Sequence, residues 1–551
     1  MPAIYEKYPT FGLFIDGLAA EYGDLPAIVV SDKSRKEPGL LRMTYGEVAA
    51  EVQALQWGLQ DLGVKPGERV GVMMSSFAEW IVYLFAITRL GASFVPINPR
   101  FGNKELEFVL SHTGAETLVM MGRYLNRDYS QMITEIAGEW PRGGASPKLP
   151  KLKRLIGLRE LTHPAAVDTS ELLKRGRERL KAEGKPPAEK DPLVPAIHFY
   201  TSGTTSFPKG VPLSHANLLP HSVRAGELLN LKPGEKVLTL YPFFGISGGA
   251  NKVLSTFGAG ACLVFQDSFR PAEAFELMEQ EGCTVIHAVD VQARELVEIA
   301  KQRGTPMPER RGTFAFTAGV NEALVIEMGE ILGLKRFIHA YGMTETNPMI
   351  LRNLPDDPLE ARVPAGGRIA QGVEVRVVDP DTDEDRPVGE RGEIVVRGET
   401  VMKGYYNDPE TNKEAFRNGW FHTGDLGEKT ADGFIFYVGR IKDMLKPGGF
   451  NVAPQEVESF LKSHEAVADA AVAGAPDPRL GEAVVAFVKV KPGHSLTPQQ
   501  LIDFCKGEIA NYKTPKAVYL VDDLPYHTAA NGSKLQRHVL KDWARERAEA
   551  K

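Results

Sequence analysis

The chain has 551 residues, too many for one hydrophobic core, so two or more domains are expected. Hydrophobic residues make up 43% and charged residues 25%, the balance of an ordinary globular protein. A net charge of −6 excludes a global attraction to nucleic acid or anionic membrane, so any polyphosphate binding has to be local.

The opening residues MPAIYEKYPTFG lack a basic segment followed by an apolar one, so no secretory signal is expected. Short β-branched runs at 70–74, 117–121, 237–240 and 284–286 alternate with longer helical stretches such as 45–62 and 105–112. That alternation predicts α/β layering with largely parallel sheets. The most apolar window, 80–87, stops at Arg89, short of the ~20 residues a membrane span needs, and reads as a buried helix. Turns are expected at 63–67 and 231–234, and residues 174–190 read as a helix end followed by a loop. Three scattered cysteines, Cys262, Cys283 and Cys505, with no C-x-x-C pair, argue against a zinc site or disulfide framework and for a reducing, cytoplasmic setting.

Beyond residue 380 the text becomes strand-rich, at 392–398 and 433–438. From Pro454 a compact α+β pattern follows: helix 454–463, strands 468–473 and 483–490, helix 497–509 and strand 517–521. The boundary is expected near Arg440-Ile441-Lys442. It divides a domain of residues 1–440 from one of residues 441–551, with the hinge at 440–443.

Five segments carry chemistry. Tyr200-Thr201-Ser202-Gly203-Thr204-Thr205-Ser206-Phe207-Pro208-Lys209-Gly210 offers hydroxyls, glycines and one lysine, a composition suited to wrapping polyphosphate and equally to a flexible surface loop. Tyr341-Gly342-Met343-Thr344-Glu345-Thr346 reads as a strand end and a glycine turn, followed by groups able to orient a nucleotide and Mg²⁺, or as a capped helix start. Thr423-Gly424-Asp425 reads as an aspartate in a glycine turn. Lys446-Pro447-Gly448-Gly449 permits close backbone approach or a plain hairpin turn. Lys534 sits on a Gly/Asn-rich segment, where a lysine is most often simply solvated.

In this order, and with Gly439-Arg440-Ile441-Lys442-Asp443 between them, these motifs resemble those of the adenylate-forming superfamily, which includes the acyl-CoA synthetases. The resemblance runs from Thr44-Tyr45-Gly46-Glu47-Val48 to beyond Arg537. It implies a large N-terminal domain of layered α/β sheets with a small β-barrel-like part, and a small mobile α+β C-terminal domain. It also implies a phosphate loop of Thr201, Ser202, Gly203, Thr204, Thr205 and Lys209, and a nucleotide site of Tyr341, Gly342, Thr344, Asp425, Tyr437 and Arg440. Glu345 would hold Mg²⁺, and Lys442 would be the hinge. Lys446, Gly448 and Gly449 would form the loop that meets CoA, and Lys534 would bridge the carboxylate and the α-phosphate. The acyl pocket would be lined by Phe244, Gly245, Asp290, Thr317, Ala318, Gly319 and Ala340.

The implied reaction joins a carboxylic acid to CoA at the expense of ATP, through an acyl-adenylate. Carrier-protein loading, luciferase-like oxygenation and a nucleotide-binding scaffold without activity are the alternatives. Small-molecule partners are expected, with no nucleic acid and no transmembrane segment; homodimerisation is left open. Gly245 stands where many relatives have histidine or another aromatic residue, leaving room for a bulkier acyl group. Asp290, where relatives often have proline, is expected either to pair with Lys252 or to meet a polar part of the substrate. These departures point to a medium-length, aromatic or alicyclic acid.

Overall fold

The β-branched runs become strands of two large sheets in a computed structural model that describes residues 3–35, 39–201, 208–304, 307–315, 322–450, 452–529 and 532–549. The first sheet has the order Lys209–Ser214, Pro195–Thr201, Ser93–Pro96, Arg69–Met73, Thr117–Met121, Arg154–Leu158, Ala166–Asp168. Its neighbours pair in parallel except at one edge, where Pro195–Thr201 and Lys209–Ser214 are antiparallel and Thr201 lies opposite Lys209. The hydroxyl-rich segment is thus flanked by two paired strands; Ser202, Gly203, Thr204 and Thr205 themselves lie outside the described residues.

The second sheet is built on parallel strands Lys236–Thr239, Val285–Val289, Arg311–Ala315 and Arg336–Met343. The last of these has two roles. Arg336 to His339 pair in parallel with Arg311–Ala315, and beyond them Ala340 to Met343 pair antiparallel with Asn347–Arg352. From there the antiparallel, barrel-like part continues through Gly366–Ile369, Ile435–Arg440, Trp420–Lys429, Arg391–Gly398 and Val373–Val378.

Helix Ala78–Arg89 is buried at every position but Glu79, as its apolar window requires, and among the described residues no helix is long and apolar enough to cross a membrane. Arg89 at its C-terminus is buried with it. Its guanidinium donates to Asp16 Oδ2 at 2.9 Å and to the Pro186 carbonyl at 2.7 Å, while its own carbonyl accepts from Glu189 N at 2.8 Å. These bonds hold the chain that feeds Pro195–Thr201. The charged run before it is the helix Thr169–Glu183 and a loop, as expected.

The C-terminal part packs helix Pro454–Lys462 on a sheet of Val467–Asp477, Gly481–Val490 and Ala517–Leu520. Three expectations need correction. Helix 497–509 is shorter, Pro498–Cys505: Lys506 turns to extended angles and Gly507 takes φ 82°. The Gly/Asn-rich segment before Arg537 is a hairpin, Tyr526–Ala529 with Gly532–Leu535, in which Lys534 lies opposite His527. Asp425 sits inside the strand Trp420–Lys429, with only Gly424 taking a turn-like φ of 70°.

Arg89→Met should leave Asp16 and the Pro186 carbonyl without their cation and cost about 3 kcal/mol, the range for breaking a buried pair from one side. A thermal midpoint within 1 °C (roughly the spread of repeat scans) of the wild-type value would refute that anchoring role.

Candidate active site

Tyr341 leaves the shared strand where its pairing changes from parallel to antiparallel, and its buried hydroxyl donates to Asp425 Oδ2 at 2.8 Å. Its ring stacks on that of Tyr437, with centroids 5.4 Å apart and planes 17° from parallel. Asp425 lies opposite Arg440 across the strand pair, and the Arg440 Nε approaches its Oδ1 to 2.8 Å. Antiparallel register thus sets an aspartate, an arginine and two tyrosines against one another. Burial pushes the Asp425 carboxyl up to about 6, with Arg440 and the Tyr341 hydroxyl pulling the other way.

Glu345 follows in a short 3-10 turn, Thr344–Thr346. The turn comes after Gly342, which lies in the strand. A Cβ on Gly342 would stand 2.5 Å from the Asn347 carbonyl oxygen, so this glycine serves close approach rather than a bend. Glu345 is buried, accepts at Oε1 from the Tyr405 hydroxyl at 3.0 Å, and gives its carbonyl to Met402 N at 2.8 Å. The Lys209 ammonium lies over the Tyr405 ring, 4.9 Å from its centre. Tyr405 therefore links the edge of the phosphate-loop hairpin to Glu345. Sequence reasoning missed it, although Gly404, with φ 152° just before two tyrosines, marks an unusual backbone there.

Beyond Glu345 the backbone is strained, with Asn347 at φ 67° and Met349 at φ 70°, left-handed values that side chains avoid. The Asn347 amide holds this course by donating to the Asn217 carbonyl at 2.8 Å. Among the described residues no three His, Cys, Asp or Glu side chains cluster as metal ligands. The donor set suits Mg²⁺ nevertheless, which takes one or two carboxylates together with substrate phosphates: Glu345 spends only one oxygen on Tyr405.

The C-terminal part reaches this site through Arg537, immediately after the Lys534 hairpin. Arg537 donates to the two oxygens of buried Glu458 at 3.0 and 3.1 Å, and lies 3.6 Å from Asp443 in the 3-10 turn Ile441–Asp443 that contains Lys442. Its positive charge is felt by the Tyr437 hydroxyl, which places the hairpin's base beside the stacked tyrosines. The Lys534 side chain itself lies outside the described residues. In the loop after Lys446, Gly448 and Gly449 take φ 59° and 86°, and the Gly448 N–H donates to the Leu480 carbonyl at 2.9 Å.

The expected acyl-pocket residues gather less completely. Gly245 is buried and precedes the π-helical segment Ile246–Lys252; Phe244 and Ala340 are half-buried. Thr317, Ala318 and Gly319 lie outside the described residues, as does the side chain of Asp290, so its suggested pairing with Lys252 also falls outside them.

Residues 16–406 match the family model of the AMP-binding enzyme, and residues 456–532 match that of the AMP-binding enzyme C-terminal domain. The chain belongs to the AMP-binding enzyme family. It is 32% identical to YngI of Bacillus subtilis, covering 97% of each chain. It is 31% identical to the 3-[(3aS,4S,7aS)-7a-methyl-1,5-dioxo-octahydro-1H-inden-4-yl]propanoyl:CoA ligase of Rhodococcus jostii, covering 95% of this chain and 96% of that one. The solved anthranilate CoA ligase AuaEII, in complex with anthranoyl-AMP, superimposes with a TM-score of 0.82 at 25% identity, over 100% of this chain and 99% of that one. The chain is an AMP-forming acid–thiol ligase, an acyl-CoA synthetase that uses ATP, Mg²⁺ and CoA.

If Asp425 takes the ribose role that the sequence resemblance implies, it must be ionised to accept hydrogen bonds from two hydroxyls. ATP binding should therefore weaken on acidification, with about a tenth of the Asp425 carboxyls still ionised one unit below their midpoint. Titrating ATP between pH 8 and 5 should show a limb near pH 6 in the wild type and none in Asp425→Asn. An identical profile in the two proteins would remove Asp425 from nucleotide binding.

Proposed function

We propose that this chain activates a medium-length, aromatic or alicyclic carboxylic acid, and that a rotation of residues 441–551 about Lys442 separates adenylation from thioester formation. The observation that carries the assignment of roles is the Tyr341–Asp425–Arg440 group beside the Glu345–Tyr405–Lys209 group, two partly buried clusters on one strand end.

In this reading Asp425 accepts the ribose hydroxyls, and the Arg440 cation keeps its carboxylate charged despite burial. Tyr341, clamped by Tyr437, offers the adenine a fixed apolar wall. Thr201 and Lys209, facing each other at the hairpin's mouth, bracket the phosphates together with Ser202, Gly203, Thr204 and Thr205, and Thr344 adds a hydroxyl. Glu345 would hold Mg²⁺, which supplies charge neutralisation on the phosphate oxygens. The substrate carboxylate attacks the α-phosphorus, pyrophosphate leaves, and Lys534 meets the negative charge that grows on the transferring group. The protein's part is electrostatic positioning without a covalent intermediate of its own.

For the second half, Gly448 and Gly449 give Lys446–Gly449 the backbone freedom to lie against a pantetheine arm, and the CoA sulfur displaces AMP from the acyl carbonyl. Asp443, close to Arg537 on one side and joined to Lys442 on the other, ties the hinge to the Lys534 hairpin, so a turn at Lys442 would withdraw that lysine. Buried thiols suit a reducing, cytoplasmic setting: burial holds Cys262 and Cys283 up at about 12, far from reactive thiolates.

Gly245 supports the choice of acid, since it puts no side chain at the head of the π-helical segment, where a ring in its place would take up room. Relatives named for a bicyclic propanoate and for medium-chain acids agree with it.

Lys534→Ala should lower pyrophosphate release by at least about 10²-fold, the scale of losing one transition-state charge contact, while thioester formation from synthetic acyl-AMP and CoA continues. Equal loss in both halves would contradict the two-conformation scheme. Gly245→His should narrow the range of acids accepted in a pyrophosphate-release panel spanning acetate, octanoate, palmitate, benzoate and cyclohexanecarboxylate, run with and without CoA. An unchanged profile would move the acyl pocket elsewhere, and release that CoA never accelerates would point to a carrier protein as acceptor.

A further inference from the structure

Behind Gly245 the protein buries positive charge that the chemistry above does not use. Lys252, at the end of the π-helical segment, is 4% exposed. Its ammonium donates to Asn251 Oδ1 at 3.0 Å and touches Met349 Sδ at 3.7 Å. Among the described residues no carboxylate lies within ion-pair distance of it. Burial alone drives its pKa down to about 7.

A second cation lies on the same side of the sheet. Arg352 is the antiparallel partner of Ala340, so the two share a face, and among the described residues its buried Nη1 has no hydrogen-bond partner. Burial pulls it down to about 10, with Arg224 adding to the effect. The His221 imidazole on helix His215–Leu228 senses both cations as well as Arg224. Arg224 already has its counter-ion, Glu399, at 2.6 Å; Lys252 and Arg352 have none among the described residues.

The surroundings are polar and incompletely paired. Thr239, His287 and Thr313 occupy one row across three parallel strands and so face the same way. His287 Nδ1 lies 2.7 Å from Thr313 Oγ1, but buried His287 Nε2 and Thr239 Oγ1 have no partners among the described residues, and the Lys252 charge acts on His287. An apolar acyl end would gain nothing from such a wall, and leaving buried cations uncompensated is costly.

We propose that the far end of the acyl pocket is an anion subsite formed by Lys252 and Arg352, and that the substrate carries a second carboxylate there. This rests on the ligase reading above and deepens it. Reach agrees: seven residues of helix separate Gly245 from Lys252, at most about 10 Å along an axis rising 1.5 Å per residue. That is the span of a medium-length chain from the reacting carboxylate to its other end. Lys252 and Arg352 are specificity residues in this scheme, far from the adenylated carbonyl. A bound carboxylate would raise the proton affinity of Lys252 and hold it charged.

The test uses the full-length protein and matched pairs: octanoate against suberate, 7-oxooctanoate as a neutral acceptor of the same length, and 3-phenylpropanoate against 3-(4-carboxyphenyl)propanoate. Pyrophosphate release and CoA thioester are both measured. Wild type should prefer the diacid of at least one pair by tenfold or more in kcat/KM, with the ketone between. Lys252→Met, of similar length but uncharged, should reverse that preference, mainly through KM, while ATP binding and the melting temperature are retained or raised. Should the variant fail to fold, the wild-type ranking decides alone. Turnover of the hydrocarbon acids with no diacid preference overturns the subsite and leaves the ligase reading intact. Loss of stability in both Lys252→Met and Asp290→Asn, without a change in acid preference, also overturns it, because the lysine is then one half of an internal pair. A protein that releases no pyrophosphate with any acid brings down the ligase reading and the subsite together.

Discussion

A carboxylate held away from water, yet required to carry charge, governs the arrangement of this molecule. Asp425 has two local supports, the Tyr341 hydroxyl and the Arg440 guanidinium, and each is delivered by a different strand. Burial still dominates, because the carboxyl remains well above its ordinary range. One cation and one neutral hydroxyl within hydrogen-bonding distance offset only part of a desolvation cost of several kcal/mol per ion. The remainder has to be met by a ligand that offers donors. In the proposed role of Asp425, the two hydroxyls of a ribose would supply those donors. The same logic applies to Glu345, which has Tyr405 on one oxygen and the other oxygen to offer to a cation.

That tension explains why the strand Arg336–Met343 crosses from one sheet into another. A purely parallel sheet ends at its C-terminal edge in loops, where side chains are placed with little precision. Here the strand continues beyond its parallel partners and pairs antiparallel with Asn347–Arg352, so Tyr341 sits inside a hydrogen-bonded ladder instead of on a loop. The turn between the two strands is tight enough that only glycine fits at position 342, and the backbone is strained at Asn347 and Met349. Strain of about 1–3 kcal/mol per residue persists only where surrounding contacts over-determine the geometry. The Asn347 amide bonded to Asn217 and the Glu345 carbonyl bonded to Met402 are such contacts.

Much of this was legible in the residues, and unevenly so. Helices 45–62 and 80–87, with their strong apolar content, emerge as Tyr45–Asp61 and Ala78–Arg89, and the strand at 117–121 ends where its hydrophobic run ends. Two misplaced features share a cause, the reading of glycine as a turn former. Gly342 and the residues flanking Gly424 lie in strands, because glycine serves close backbone approach as readily as it serves a bend. Likewise Gly532 opens a strand paired with Tyr526–Ala529, so the segment before Arg537 is not the plain loop its composition suggests. Tyr405 escaped because its partners, Lys209 and Glu345, are 196 and 60 residues away in the chain, a proximity that no local pattern encodes.

The buried cations behind Gly245 make the same point at the other end of the site. A lysine in a helical stretch reads as surface, since lysine is among the residues least often buried, and the stretch around Lys252 also carries Ser247, Asn251, Ser255 and Thr256. Its interior position is decided by the sheet beneath it, whose row of Thr239, His287 and Thr313 turns polar side chains toward the π-helical segment. A hydrocarbon pocket would place valine or leucine at those three positions, as the next residue toward the start of each neighbouring strand does at Leu238 and Ile286 on the opposite face. Polar residues on one face of a fully buried sheet carry a desolvation cost with no gain in packing. On the proposed reading that cost is met by the guest: the polar row and the two cations beside it would face an anionic end of the substrate.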